Sequence, residues 1–517
     1  MIKLKINGQE VEVEKGTTVL QAAALIGIEI PHFCYHPALK KVGSCRMCQV
    51  EFTAPGRPYV GISCRTDVVD GMVVETHSEA AINARKATLE FLLTNHPLDC
   101  PICDKAGECP LQNYTFIHGP STSRYDDPRR KYFKRKHLGG HIIYDAERCI
   151  LCTRCVRFMA DYAKAPQLLV EGRGDSSVIN IFADRALDSN YTGNVADICP
   201  VGALTLEEFR FKVRTWYLDP IPSVCPYCSR GCNINLEVRK SHNRLFRVRP
   251  RENWDVNGYF ICNEGRFRPL EATDGKNRLL ECTVNNQKSS YLSAVQKAAE
   301  LIKGHDGKLL VVASSRRTVE ELYLITKLFK SIPGVRLVAA APDTEAPDGI
   351  LRTGANAPNE RGLLAFGYEV LSLEALGEVM AGKETDGLVM LDASINLDER
   401  MRESFRFILF MDYIATGVSE IADVVIPGLA WFEKEGTFIN VNHRIQRIRK
   451  ALKPPAPTLK DDLYTFAELY RRIHDQELPQ TAMELFDALA EEYADFKGID
   501  YKTIGTCGAS LSREGGE

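Results

Sequence analysis

The distribution of cysteines constrains this chain more than any other feature of its sequence. Of the 17 cysteines in 517 residues, fifteen lie before position 263, and only Cys282 and Cys507 follow. The N-terminal residues MIKLKINGQEVEVEKGTTVLQAA alternate apolar and charged side chains, which predicts a strand hairpin rather than a signal peptide. Cysteines in a chain without an export signal favour metal binding over disulfides. We therefore expect a front half built around metal centres and a back half without them.

The charge of the chain excludes two classes of partner. The formal net charge is -3, which gives no overall attraction to nucleic acid or to an anionic membrane. No apolar run is long enough to span a bilayer, so any link to a membrane is expected to pass through partner subunits. The segment RRKYFKRK (129–136) has the basic and aromatic character of an RNA contact, but a solvated loop or a subunit contact is the favoured interpretation.

The first set of cysteines predicts a [2Fe-2S] centre. Its members are Cys34, Cys45, Cys48 and Cys64, spaced C-x10-C-x2-C-x15-C. Two strands and a helix from about Thr18 to Ile26 precede them, an order typical of a ferredoxin-like β-grasp fold. Gly43 and Ser44 are expected to let the backbone approach the cluster.

Two further sets predict [4Fe-4S] centres. Three cysteines two residues apart, followed later by Cys-Pro, are typical of bacterial ferredoxins. Met159 occupies the position of the next cysteine in a two-cluster ferredoxin, so we expect one cluster here. The second of these sets is spaced C-x2-C-x3-C-x29-C, around a segment that alternates like a pair of strands. The ligands of the two sets are Cys149, Cys152, Cys155 and Cys199, and Cys225, Cys228, Cys232 and Cys262.

Three cysteines remain, and a tetrahedral site needs a fourth ligand. Cys100, Cys103 and Cys109 follow a helix predicted over 79–94, which ends at Asn95-His96-Pro97 because proline halts it. His96 then gives the pattern H-x3-C-x2-C-x5-C, and imidazole is an accepted iron ligand. We therefore predict that His96 completes a third [4Fe-4S] centre. Structural zinc at each of the four sets is the minority alternative.

The back half changes to alternating helices and strands from about residue 285. A threonine cap at Thr318 with Glu321 three residues on predicts the start of one helix. The pattern indicates an α/β sheet with helices on both faces, and it contains no P-loop, catalytic triad or metal-binding constellation. A loose tail is expected after about Gly498.

Several motifs together carry a resemblance to a known family. In order along the chain they are GSCRMCQVE, NHPLDCPICDKAGECPLQ, CILCTRCVRF, TGNVADICPVGALT, VCPYCSRGCN and YFICNEGRF. Over residues 1 to about 270 the chain resembles the large iron–sulfur subunit, the G subunit, of NADH:quinone oxidoreductase, or respiratory complex I. In that family the histidine of the H-x3-C-x2-C-x5-C pattern binds a [4Fe-4S] cluster, which implies the same role for His96.

The back half resembles a molybdopterin-oxidoreductase domain through ADVVIPGLAWFEKEGTFINVNHRIQ (422–446). It is much shorter than a working molybdenum enzyme, and Glu264 stands where a basic residue is expected after the last cluster cysteine. The fold class implied is a multidomain α+β iron–sulfur front half followed by a shortened α/β domain. The expected segments are 1–78 ([2Fe-2S], ferredoxin-like), 79–118 ([4Fe-4S] with one histidine and three cysteines), 119–216 ([4Fe-4S], ferredoxin-like), 217–272 ([4Fe-4S], molybdopterin-oxidoreductase type), 273–470 (truncated α/β domain) and 471–517 (C-terminal helix and tail).

The resemblance implies an electron-transfer subunit with no active site of its own. Its cofactors would be one [2Fe-2S] cluster and three [4Fe-4S] clusters, without molybdopterin. Its partners would be a flavin- and NADH-binding subunit, a small [2Fe-2S] subunit and quinone-module subunits of a peripheral arm. The implied location is cytoplasmic, at the inner (plasma) membrane through those partners. The alternatives are a subunit of a soluble NADH-linked formate dehydrogenase, hydrogenase or bifurcating complex, and a zinc-stapled scaffold.

Overall fold

A computed structural model describes residues 1–511, apart from 55, 183–184, 274, 341–345, 383–384, 393, 396 and 398–401. Contacts divide the chain into two compact units, Met1–Tyr217 and Leu218–Glu517. The first unit is built from short strands and α-helices. They are β1 (Ile2–Ile6), β2 (Gln9–Val13), α1 (Val19–Leu25), β3 (Gln49–Ala54), β4 (Tyr59–Ile62), β5 (Met72–Glu75), α2 (Glu79–Leu93), α3 (Pro110–His118), β6 (Lys136–Gly139), β7 (Ile142–Tyr144), α4 (Arg154–Arg157), β8 (Leu168–Glu171), β9 (Val178–Ile181), α5 (Asn194–Ile198) and β10 (Leu204–Leu206).

The first domain has the predicted β-grasp character. Its five strands form one sheet in the order β2-β1-β5-β3-β4, with β1 parallel to β5. Helix α1 begins as predicted, because the Thr18 side chain accepts from the backbone N–H of Gln21 and the Gln21 side chain returns to Thr18. Its buried residues pack against the sheet in one apolar core. The fold therefore anchors the long 26–48 loop at both ends, to helix α1 and to strand β3.

Small sheets carry the rest of the first unit. One has the order β10-β7-β6, and β8 pairs with β9. Helices α2 and α3 contact each other, and α2 lies against β3. Helix α4 continues directly into a π-helical turn at Phe158–Tyr162. The loops that carry the cysteines connect these short helices and strands.

The second unit begins with an antiparallel sheet and continues into a large α/β layer. Its elements are β11 (Asp219–Val224), β12 (Asn233–Arg239), β13 (Arg244–Pro250), α6 (Asn263–Thr273), β14 (Cys282–Val284), β15 (Gln287–Ser289), α7 (Tyr291–Lys303), β16 (Leu309–Ala313), α8 (Val319–Lys330), β17 (Val335–Ala340), α9 (Glu360–Ala365), β18 (Glu369–Leu371), α10 (Leu373–Ala381), β19 (Gly387–Leu391), β20 (Phe407–Asp412), α11 (Gly417–Ile421), β21 (Val424–Pro427), β22 (Gly436–Ile439), β23 (Arg444–Ile448), α12 (Asp462–His474), α13 (Ala482–Glu492), α14 (Tyr501–Ile504) and β24 (Ala509–Ser510).

The eight-stranded sheet confirms the α/β expectation for the back half. Its order is β15-β14-β21-β20-β19-β16-β17-β18, and the strands from β21 to β18 run parallel. Apolar clusters cover both faces, one with α7, α8, α12 and α13 and the other with α10 and α11. Thr318 and Glu321 form the predicted capping box at the start of α8. Buried strands with helices on each side give this unit its largest core.

The C-terminal segment differs from the sequence expectation. The boundary expected between 470 and 471 lies inside α12, and the tail expected to be loose after Gly498 forms α14 and β24. Tyr501 is buried and donates its hydroxyl to Glu320 Oε1 at 2.7 Å. Residues Arg444 and Ile445 of β23 pair with β24. A tertiary partner therefore orders a segment whose composition alone predicts a coil; residues 512–517 lie outside the described part.

A charged cluster is buried under the helices of the second unit. Lys434 Nζ lies 2.6 Å from Glu321 Oε1 and 2.9 Å from Asp462 Oδ2. Arg317 Nη1 lies 3.1 Å from the same Asp462 oxygen. Desolvation of this fully buried carboxyl group raises its pKa, but the nearby charges of Lys434 and Arg317 outweigh that effect and lower the pKa of Asp462 to about 2. Two cations and two carboxylates balance one another away from water.

Candidate metal centres

The four cysteines of the first set meet between the ends of two paired strands. Cys48 directly precedes β3 and Cys64 follows β4, while the long loop brings Cys34 and Cys45 to them. The backbone N–H of Cys34 points to Cys45 Sγ at 3.4 Å. Hydrogen bonds from Cys45 and Cys64 hold the pKa of Cys34 far below its usual range, and one from Cys64 lowers that of Cys48 to about 7. Thiols that hydrogen-bond to one another in this way share protons. A bound metal would take the place of those protons.

Gly43 allows the tight path of this loop, as the sequence predicts. Its φ is +71°, and a Cβ atom there would lie 2.7 Å from Ile62 Cδ1. Only glycine adopts this backbone without strain and also avoids that contact. Two histidines beside the set are engaged elsewhere: His32 Nδ1 lies 2.8 Å from the Ile30 carbonyl, and His36 Nδ1 accepts from Ala38 N. Neither needs a cluster to explain its position.

The four cysteines of the second set line one small cavity. Cys149, Cys152, Cys155 and Cys199 share its wall with Tyr144. Pairing of Leu204 in β10 with Tyr144 in β7 brings the distant Cys199 to the other three. Burial raises the pKa of Cys149 to about 11 and that of Cys152 to about 12. Thiols that resist ionisation in an apolar cavity suit metal binding, in which the metal supplies the compensating charge.

The turn through this set has an unusual backbone. Leu151 and Thr153 both have positive φ, +50° and +59°. Left-handed conformations at residues other than glycine cost energy and mark functional turns. The conformation lets the backbone N–H of Leu151 point to Cys149 Sγ at 3.4 Å. The C-x2-C-x2-C turn is therefore a tight one that directs a backbone donor at one of its own thiols.

The structure brings His96 to the third set. His96, Cys100, Cys103 and Cys109 line one cavity, to which Asp99 also contributes. The Nδ1 atom of His96 is buried and has no hydrogen-bond partner in the described part of the chain. Burial lowers the pKa of His96 to about 4, with a smaller contribution from Arg148. A neutral imidazole with a free ring nitrogen is the form that binds metal.

Sequence reasoning gave no role to Gly202, which is part of this cavity. A Cβ atom at Gly202 would overlap Cys103 Sγ, 99 residues earlier in the chain. Cys109 Sγ also donates to the carbonyl of Pro200 at 3.7 Å. The segment after Cys199 thus runs from the second cavity into the third. Its requirement for glycine depends on a tertiary contact, so spacing alone does not reveal it.

The basic segment 129–136 folds back onto this region. Lys134 Nζ lies 2.7 Å from Asp99 Oδ2 and 2.7 Å from Glu147 Oε2. Lys136 donates to Asn180 Oδ1 at 2.7 Å, and Arg130 pairs with Asp175. Two of its six cationic side chains, Arg130 and Lys134, therefore form ion pairs within the unit. These contacts agree with a structural loop rather than an RNA-binding surface.

The fourth set lies at the end of the first sheet of the second unit. Cys225 follows β11 and Cys232 precedes β12, and the N–H of Cys225 donates to the Cys232 carbonyl at 2.9 Å. A Cβ atom at Gly265 would lie 3.0 Å from Cys225 Sγ and 3.7 Å from Cys262 Sγ. The Gly265 N–H points to Cys262 Sγ at 3.4 Å. This glycine therefore opens the space around the thiols and supplies a donor to one of them.

A cavity of about 350 Å³ lies at the carboxyl edge of the large sheet. Its wall includes Ser314 after β16, Asp392 after β19 and Asp412 at the end of β20, but no cysteine or histidine among its described lining residues. Glu264 pairs with Arg268 at 2.8 Å and with Arg352 at 3.1 Å. The position expected to be basic thus holds a carboxylate that is already neutralised. The described lining offers no thiolate or imidazole to molybdenum.

Not every cysteine belongs to a set. Cys282 is buried in the apolar core of the second unit, where burial raises its pKa to about 11, and Cys507 is exposed. Within the described residues, no group of three or more His, Cys, Asp or Glu side chains is placed to hold a single metal ion. None of the helices in the described ranges combines the length and the apolar character that crossing a bilayer requires.

Five protein families match successive parts of the chain. Their descriptions are 2Fe-2S iron-sulfur cluster binding domain (residues 1–79), NADH-ubiquinone oxidoreductase-G iron-sulfur binding region (85–124), NADH-quinone oxidoreductase subunit 3, ferredoxin-like domain (139–205), Molybdopterin oxidoreductase Fe4S4 domain (220–269) and Molybdopterin oxidoreductase (380–472). The chain therefore carries 2Fe-2S and 4Fe-4S binding domains, and its fold is a mixture of ferredoxin-like and α/β domains.

Curated relatives share this front part. The G subunit of the NADH-quinone oxidoreductase of Streptomyces coelicolor is 39% identical over 334 residues, covering 63% of this chain and 39% of the relative. The corresponding G subunit of Rickettsia conorii is 38% identical over 344 residues (64% and 49%), and the NADH-ubiquinone oxidoreductase 75 kDa subunit of Reclinomonas americana is 43% identical over 267 (52% and 38%). The chain spans less than half the length of these relatives.

Solved structures are also similar to parts of this chain. One of them is a crystal structure of an NAD+-reducing [NiFe]-hydrogenase in the H2-reduced state, 32% identical, covering 41% of this chain and 91% of that chain. The TM-score of this match is 0.37.

Proposed function

We propose that this chain, a relative of the G subunits of the NADH-quinone oxidoreductases, is an electron-transfer subunit that passes electrons from a flavin toward a quinone through iron–sulfur clusters. The observation that carries the proposal is the His96 cavity. Its three cysteines come with a buried imidazole nitrogen that has no partner in the described chain. A histidine that completes a cysteine set is a specific feature, and one matched family is an iron–sulfur binding region over residues 85–124.

The proposed ligands follow the four sets. Three of the sets combine cysteines from two separate segments of the chain, and the His96 set places an imidazole beside three cysteines of the single connection between α2 and α3. Both arrangements support a cluster rather than separate thiols. The ligands of the [2Fe-2S] cluster are Cys34, Cys45, Cys48 and Cys64, and those of the three [4Fe-4S] clusters are His96, Cys100, Cys103 and Cys109; Cys149, Cys152, Cys155 and Cys199; and Cys225, Cys228, Cys232 and Cys262.

The residues of this chain would set how readily each centre accepts an electron. Iron–sulfur clusters supply one-electron chemistry, and their potentials depend on net charge, hydrogen bonds to sulfur and exposure. Backbone N–H groups of Cys34, Leu151 and Gly265 point to cysteine sulfurs at 3.4 Å, where they favour added negative charge. Burial of most of the thiols keeps water away. These contacts need no movement during electron transfer, which keeps reorganisation small.

The wider assembly is also part of the proposal. The partners would be a flavin- and NADH-binding subunit, a small [2Fe-2S] subunit and quinone-module subunits, holding the chain at the membrane surface. The relatives are named as subunits of NADH-quinone oxidoreductase, which supports a multi-subunit complex. We propose that the α/β domain is a scaffold without molybdopterin. The neutralised Glu264 and the absence of cysteine and histidine from the described cavity lining support this.

Anaerobic purification with iron and sulfide counting tests the proposal. Two irons for the binuclear cluster and four for each cubane predict about 14 irons per chain. Low-temperature EPR of the reduced protein is expected to show one binuclear and three cubane signals. A colourless protein containing zinc and no acid-labile sulfide would contradict the proposal.

Substitution of Gly202 by alanine is expected to remove one cluster selectively. The added Cβ would occupy the position of Cys103 Sγ, so this ligand would be displaced and iron would fall by about four per chain. The matched control is Gly377→Ala, because a Cβ at Gly377 has nothing within 4 Å. The same measurement should find full iron there. Full iron and four unchanged EPR signals in Gly202→Ala would contradict the described packing.

A further inference from the structure

Two arginines of the C-x2-C-x2-C turn reach from one candidate centre to another. Arg154 begins helix α4 and Arg157 ends it. Cys155 of the second set lies between them, yet both side chains extend to the loop of the first set. All of these residues belong to the first compact unit. Neither arginine has a role as a ligand, so their contacts need a separate explanation.

Arg157 joins backbone carbonyls that belong to the two sets. Its Nη2 atom donates to the carbonyl of Cys34 at 2.6 Å and to that of Cys152 at 3.2 Å. Because one nitrogen makes both contacts, the two carbonyl oxygens lie close together. Its Nη1 atom donates to the Lys40 carbonyl at 2.6 Å, and Nε donates to Thr153 Oγ1 at 3.3 Å. One planar side chain is thus fixed at both ends.

Arg154 makes a second connection of the same kind. Its Nη1 atom donates to the Ile198 carbonyl, next to Cys199, at 3.2 Å. Its Nη2 atom donates to the Tyr35 carbonyl, next to Cys34. Burial lowers the pKa of Arg154, and the thiols of Cys152, Cys199 and Cys34 act against this. The guanidinium group therefore lies in the field of both sets.

The charge of the two arginines is not balanced by acidic side chains. Within the described residues, neither Arg154 nor Arg157 forms an ion pair with a carboxylate; their contacts are carbonyls and one hydroxyl. Both side chains are partly buried, and a cation that loses water without gaining a counter-ion is destabilising. Thiolate-bound clusters are anionic and gain one more negative charge on reduction, so clusters on either side would provide the missing counter-charge.

We propose that Arg154 and Arg157 are positioning residues that fix the separation of the Cys34 set and the Cys149 set and raise the reduction potentials of both clusters. This inference rests on the proposed function, since it requires clusters at both sets. Positive charge nearby favours the reduced, more negative form of each cluster. Hydrogen bonds to carbonyls on both loops hold the geometry, because a planar fork fixes direction better than a flexible ammonium group.

Redox titration of the full chain, followed by EPR, tests the inference. Arg154→Gln and Arg157→Gln should each make reduction of both clusters about tenfold less favourable, which is about 59 mV for a one-electron couple. The clusters of the His96 and Cys225 sets should keep their potentials. Arg173→Gln is the control, because Arg173 is exposed in the same unit. Unchanged potentials in both glutamine variants, or equal shifts in all four clusters, would overturn the inference.

Lysine variants separate the charge from the geometry. Arg157→Lys keeps a cation but cannot span the Cys34 and Cys152 carbonyls. Its potentials should remain near those of the parent, whereas the spin–spin interaction between the two reduced clusters should change. If the glutamine variants fail to assemble clusters, Arg157→Lys decides the question. An unchanged spin–spin interaction in Arg157→Lys, or loss of both clusters, overturns the inference. A parent protein without iron–sulfur signals would instead refute the proposed function itself.

Discussion

Replacement of Lys434 by methionine is expected to lower the free energy of unfolding of the second unit by about 3–5 kcal/mol. Lys434 contacts Glu321 and Asp462 within a site that water does not reach. Methionine has a similar volume, so the packing is kept while two carboxylates remain with Arg317 alone. An uncompensated buried charge is the main cost. Hydrogen exchange of the β16 amides, which open only with the core, would measure the change.

Two further variants test this explanation. Lys434→Met with Glu321→Gln removes one charge of each sign and should recover part of the loss, because balance is restored. Lys288→Met removes an exposed lysine that lies 2.6 Å from Glu281, and its effect should be at most about 0.5 kcal/mol. Equal effects of Lys434→Met and Lys288→Met would show that the buried cluster contributes no more than a surface pair.

His96→Ala is expected to eliminate or alter one cubane signal and to leave the other three centres. Loss of the fourth ligand opens one iron to solvent, so iron should fall by up to about four per chain. His96→Cys should retain iron at this centre with a lower potential, because a thiolate adds negative charge where neutral imidazole adds none. EPR-monitored titration, together with iron counting, distinguishes the three proteins.

Asp99 provides the competing ligand for the same cavity. It lines the wall beside Cys100, but its carboxylate is paired with Arg148 at 3.0 Å and with Lys134 at 2.7 Å. We therefore expect Asp99→Asn to keep full iron. Loss of the cluster in Asp99→Asn and four unchanged signals in His96→Ala would reverse the assignment of the ligand.

Short-range patterns predicted most of the fold and are the basis for the proposed ligand sets. The predicted Thr318 cap depends on Glu321, three positions away, and it is found in the structure, as is the predicted start of a helix near Thr18. The grouping of Cys199 with Cys149 also follows from a sequence pattern, and strand pairing of β7 with β10 supplies the physical means. Such features are local, or are repeated in many proteins with the same chemistry, so the sequence is sufficient to find them.

Features that depend on distant contacts could not be predicted in this way. Gly202 must be glycine because of Cys103, and Arg157 becomes a bridge only when two loops meet. Tyr501 lies in a polar, glycine-rich stretch, yet its hydroxyl reaches buried Glu320 and its ring lies 4.2 Å from the Arg447 guanidinium. No periodicity marks these residues. Their roles arise from tertiary neighbours rather than from the adjacent sequence.

The position of strand β24 bears on the order in which parts of this chain fold during translation. Its neighbour Cys507 offers a backbone carbonyl to Asn253 Nδ2 and to Arg444 Nε, each at 2.9 Å, and Asn253 also donates to the Asn233 side chain beside Cys232. Cys507 leaves the ribosome more than 250 residues after Asn253. The first three candidate sites can thus form early in a nascent chain, whereas the Cys225 site acquires this support only after Cys507 has been synthesised.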